Sequence, residues 1–144
     1  MGFLSWFKNN PDEEDSTGNQ LDLFSKSKNL PERRRVDGAT VRKQFSKTIQ
    51  AKGGDAEAQA TSTEALTEEI MGCGTEDLYE GTNAKRRRRE TLPARAQEAL
   101  MTGEIVATHD LKGEDVQGNQ LQRNEQITDS VRKSGKKVRK LFPW

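Results

Sequence analysis

The sequence predicts a mainly α fold: a small helical domain of four to five helices, with a disordered N-terminal arm before it and a basic C-terminal tail after it. Three observations carry this expectation. Apolar residues recur at helical spacing, as in Val41, Phe45 and Ile49, and again in Leu92, Ala96, Ala99, Leu100 and Gly103. Glycines at 53–54, 72, 74, 113 and 118 stand where each periodic stretch stops. Finally, the 144 residues are only 31% hydrophobic against 33% charged, which limits the chain to one modest core. The boundaries expected are an arm over 1–38, a domain over 39–134 and a tail over 135–144.

The first eight residues, Met1 to Lys8, are apolar but too short for a secretory signal. Trp6 stands where a myristoylation signal needs Ser or Thr, so Gly2 is not an acylation site. Two readings stay open for this stretch: a cap packed on the domain, or a turn that touches a partner or a membrane surface. Asn9-Asn10-Pro11 stops it, and Asp12-Glu13-Glu14-Asp15 reads as solvated linker.

After Pro31, a basic amphipathic helix is expected over 39–51, capped by Asp37 or Thr40 and ended by Gly53-Gly54. Residues 55–62 read as linker. Thr61 and Glu64 have the spacing of a capping box ahead of Ala65, Leu66 and Ile70. Thr75 then caps a second short helix over 76–80. Two short helices around a glycine turn have the outline of a helix-turn-helix, but Glu76, Asp77 and Glu80 would repel the groove. The longest helix is expected from Leu92 to about residue 108, with Ala96, Ala99 and Gly103 permitting close helix contact within the core or with a second copy. A last helix runs over 120–134, turning Leu121, Ile127 and Val131 inward.

Formal net charge is +1, yet charge is segregated along the chain. Residues 55–84 hold eight carboxylates and no Lys or Arg, whereas 31–54, 85–95 and 131–144 are net basic. Such clusters are candidate phosphate-binding patches. The residues expected to meet DNA backbone are Arg33, Arg34, Arg35, Arg42, Lys43, Lys47, Lys85, Arg86, Arg87, Arg88, Arg89, Arg132, Lys133, Lys136, Lys137, Arg139 and Lys140. The acidic blocks could equally neutralise them within the fold.

Chemistry is harder to find. His109 is the sole histidine and has no metal-ligand spacing around it. Cys73, the sole cysteine, lies between glycines with no CxxC, which excludes an internal disulfide and suits a reducing compartment. No Walker-type run of glycines with Lys-Ser/Thr occurs. No enzyme, no cofactor and no metal site are expected.

Gln20-Leu21-Asp22-Leu23-Phe24 is an isolated apolar pentapeptide among turn-prone polar residues, with no helical or strand period on either side. That is the physical form of a docking peptide on a flexible arm. It resembles the clamp-binding motif by which bacterial replication and repair proteins dock on the DNA polymerase sliding clamp. The resemblance implies polar contacts from Gln20, the first apolar contact from Leu21, a spacer at Asp22, and a hydrophobic subsite filled by Leu23 and Phe24.

From Val41 to Lys140 the chain also resembles the C-terminal region of the DNA-damage-inducible protein D group of bacterial and phage-borne proteins. The shared fragments are Val41-Arg42-Lys43, Thr48 to Gly54, Asp77-Leu78-Tyr79, Ala107-Thr108-His109-Asp110 and Val131 to Arg139. Residues 1–38 are too few to supply the N-terminal domain that the group usually carries. The resemblance implies a role around damaged or replicating DNA and its recombinase filament.

Together these readings predict a non-enzymatic, cytoplasmic, nucleoid-associated accessory or regulatory protein. The sliding clamp and DNA are its expected partners, with a homo-oligomer possible. The rivals are a charge-patterned protein-interaction module without DNA, and a peripheral membrane protein using Phe3, Leu4, Trp6, Phe7 and Phe142-Pro143-Trp144.

Overall fold

A computed structural model describes residues 2–9 and 32–144, with side chains from residue 38 onward in the second segment. The elements are α1 (Phe3–Asn9), α2 (Glu32–Ala51), α3 (Ala56–Met71), α4 (Thr75–Gly81), a short 3-10 turn at Arg89–Thr91, α5 (Ala94–Lys112) and α6 (Gln120–Arg139). Among the described residues there is no strand, so the fold is mainly α as the periodicity predicts.

The long helices α3 and α6 make the most extensive contact, α5 packs on both, and α2 lies against α5. Their shared core holds Ile49, Leu66, Ile70, Leu100, Leu111, Ile127 and Val131. Small residues set the spacing. A Cβ at Gly103 would overlap Ile70 Cδ1, and one at Gly135 would stand 2.8 Å from Glu69 Cβ. Gly103 therefore brings α5 close to α3 of the same chain, which is one of the two roles expected for it.

Several elements differ from the sequence expectation. α2 begins at Glu32 rather than 39. Residues 56–62 are helix rather than linker, because Ala, Gln and Glu are good helix formers and Ala58 and Ser62 are buried. Asp55 is the N-cap, its Oδ1 accepting from Ala58 N at 3.0 Å. The capping box expected at Thr61–Glu64 does not form, since both lie inside α3. Glu64 instead accepts from Thr75 N and from Thr75 Oγ1, at 3.1 and 2.5 Å. Gly74, not Thr75, is the N-cap of α4. α5 starts after Pro93 and extends to Lys112. α6 opens with a capping box at Asn119 and Gln122 and reaches Arg139, five residues into the span expected to be tail. Leu121 is exposed, while Ile127 and Val131 point inward as expected.

Residues 3–9 and the segment after α6 pack on the helical domain. Phe3 is fully buried. Its ring meets Trp144 edge-on at 4.7 Å, Phe142 stacks on Trp144 at 5.0 Å, and Trp144 Nε1 donates to Ile70 O at 2.7 Å. The packed-cap reading of the first residues is the one observed. Most of the aromatic side chains weighed for a membrane contact face each other. Among the described residues, no helix is long and apolar enough to cross a membrane.

Candidate nucleic-acid interface

The clamp-like stretch Gln20 to Phe24 lies outside the described residues. Arg33, Arg34 and Arg35 fall in the first turns of α2, where the backbone alone is described. Arg42, Lys43 and Lys47 are exposed along the same helix, opposite the side that buries Phe45 and Ile49 or beside it.

Lys85, Arg86, Arg87 and Arg88 are exposed on the loop between α4 and α5. Arg87 holds a left-handed backbone at φ +62°, a conformation few non-glycine residues adopt. Arg86 is paired with Glu76. Arg89 differs from its neighbours. Its Nη1 donates to Glu104 Oε2 at 2.9 Å, with the two side chains only 19% and 4% exposed. That charge is committed inside the fold, as the neutralisation reading allowed.

On α6, Arg132 pairs with Glu69 at 3.3 Å and Glu68 at 3.8 Å, and Lys137 with Asp110 at 3.0 Å. Ser134 also donates to Asp110 at 2.7 Å. Burial pushes the Asp110 carboxyl up, but the Ser134 and Lys137 hydrogen bonds outweigh it and hold the group below its ordinary value. Arg139 is half-buried on the flank of the same helix. Lys133, Lys136 and Lys140, spaced i, i+3 and i+7, form an exposed ridge on the outer face and have no ion-pair partner among the described residues. One long helix thus carries cations in two roles: flanking ones clamp neighbouring helices, and central ones face solvent.

The structure brings two of the three basic clusters together. Arg42 from α2 and Arg87 and Arg89 from the loop line one pocket of about 280 Å3, with Tyr79, Leu100 and Glu104. The cluster on α6 does not reach it. Burial raises the Glu104 carboxyl against the opposing pull of Arg89 and Arg42. It likewise raises the Tyr79 phenol, again opposed by Arg89 and Arg42. Sequence reading missed Glu104, since a carboxylate on an alanine-rich helix resembles any solvated one. The available signal was its spacing, four residues after Leu100 and three before Ala107 on the apolar stripe of α5.

Cys73 is half-buried, and burial, with Asp77 and Glu64 nearby, pushes its thiol up to about 11. His109 is exposed on α5. Among the described residues, no group of three His, Cys, Asp or Glu side chains could hold a metal ion. No protein-family model, curated protein or solved structure matches the chain.

Proposed function

We propose that this protein is a non-enzymatic accessory factor of DNA replication or the damage response, brought to its site through the sliding clamp and held there by backbone contacts to DNA. The observation that carries the DNA half is the solvent-facing ridge Lys133–Lys136–Lys140, joined by the exposed loop cations Lys85, Arg87 and Arg88. Exposed lysines at helical spacing meet phosphates without base specificity. The clamp half rests on the sequence Gln20-Leu21-Asp22-Leu23-Phe24, and on that alone. Two weak contacts on one chain raise the effective concentration of each for the other, so modest affinities suffice.

The test has two arms. Purified clamp should retain the wild-type chain and lose the Leu23→Ala/Phe24→Ala variant; equal retention removes the docking claim. DNA binding should weaken steeply between low and moderate salt. Replacing Lys133, Lys136 and Lys140 together should lower the slope of log K against log salt by roughly 2–3. A slope that stays flat in the wild type removes the phosphate contact.

The protein-interaction reading keeps one observation in its favour. Acidic residues of α3 and α4 do absorb basic ones within the chain, through Glu69 with Arg132 and Glu76 with Arg86. A homo-oligomer built on such pairs would show as a salt-sensitive mass in light scattering without any DNA shift.

A further inference from the structure

The pocket between α2, α3, α4, α5 and the basic loop contains a feature that the fold itself does not use. Glu104 is 3% exposed, and its Oε1 has no hydrogen-bond partner among the described residues, although Oε2 is taken by Arg89. A buried carboxylate oxygen left without a donor is unfavourable, so natural folds rarely leave one unless something else supplies the donor. Glu104 lines the pocket, so a molecule within it can supply that donor.

The rest of the lining narrows the chemistry. Three arginines against Glu90 and Glu104 leave the pocket net positive by one charge, so a net anion is favoured over a zwitterion or a cation. Arg42 and Arg87 are exposed and lie at the rim, where a guanidinium fork suits phosphate. Arg87 reaches that place from a left-handed backbone that costs energy, the kind of local strain that persists at binding sites. Leu66, Leu78 and Leu100 supply apolar walls that suit a flat ring. At about 280 Å3, the space takes one small ligand, not an extended one.

An anion at the rim, a flat apolar body and an N–H donor at depth describe one nucleotide. We propose that this pocket binds a single nucleotide whose base carries an exocyclic amino group, with the phosphate on Arg42 and Arg87 and the amino group donating to Glu104 Oε1. Carboxylates accept from the cytosine N4 amino group in this way. The unit could arrive as a free nucleoside monophosphate or as one residue of a single strand, since the recognised chemistry is the same. The site stands whether or not residues 20–24 dock on a clamp.

The experiment is titration of the full-length 15N-labelled protein with dCMP, followed by the amide signals of residues 75–104. Saturable shifts around Tyr79, Arg87 and Glu104 are expected. Arg87→Ala and Arg42→Ala, both at exposed side chains, should each weaken dCMP by about tenfold while leaving deoxycytidine unchanged. The N4,N4-dimethyl analogue of dCMP should also bind about tenfold more weakly, which probes the Glu104 contact without altering the protein. A short oligonucleotide with one internal cytosine distinguishes the sources: the same shifts assign a strand, and their absence assigns the free nucleotide. The proposal is overturned if dCMP gives no saturable shift at millimolar concentration. It is equally overturned if inorganic phosphate or leucine binds as tightly as dCMP, or if the dimethyl analogue binds equally well.

Discussion

Cys73 shows how much one residue's surroundings alter its chemistry. With flanking glycines and no CxxC partner it reads as a buried spacer, and the structure half-buries it near Asp77 and Glu64 and pushes its pKa up to about 11. The thiolate is the nucleophile, so a pKa about two units above the ordinary one leaves about 100-fold less of it at pH 8. Alkylation by iodoacetamide at pH 8 should therefore be far slower in the native protein than in urea. Equal rates would show that Cys73 is open. The sign for stability follows from the same shift. The folded state holds the proton more tightly than the unfolded one, so this contribution is whole below about pH 9 and is lost as pH rises toward 11. Asp110 runs the other way: its contribution holds above the ordinary carboxylate range and is lost as pH falls through its lowered value.

At the level of the helices, packing is set by the absence of side chains as much as by their presence. Gly103 lies on α5 where a Cβ would overlap Ile70 and press on Leu66, both buried on α3. Gly103→Ala should gain up to about 1 kcal/mol in helix propensity yet lose more to overpacking, for a net loss of about 1–2 kcal/mol. Gly113→Ala is the control, because a Cβ there meets only Asp110 O at 3.6 Å and the backbone φ is −88°. Urea midpoints should fall for the first variant and stay level or rise for the second. That Ala96, Ala99 and Gly103 permit close helix contact was legible in the sequence, but whether the partner helix was in this chain or in a second copy was not. The start of α3 was not legible. Ala56, Ala58, Gln59 and Ala60 show no large apolar residue, and only the partner helix α6 reveals that Ala58 and Ser62 form a buried face. Basic clusters were visible as composition. Their division into paired Arg89, Arg132 and Lys137 against the exposed ridge required the third dimension, as did the pocket that joins residues 42 and 87.

For the whole molecule, the decisive fact is that α1 meets the segment that follows α6. α1 and the final Phe142-Pro143-Trp144 pack together over the end of α3, where Trp144 binds the Ile70 carbonyl and touches Phe3. Residues 10–31, which include the clamp-like pentapeptide, lie between α1 and α2 in the sequence and outside the described residues. Trp144→Ala removes one ring and one hydrogen bond from the junction and should cost about 2 kcal/mol, less than a fully buried Trp because this one is only half-buried. If α1 depends on that ring, native-state hydrogen exchange of residues 3–9 should accelerate in the variant well before that of α3 and α6. Exchange that speeds up evenly across all helices would instead show that α1 and the terminal aromatic segment unfold only with the core.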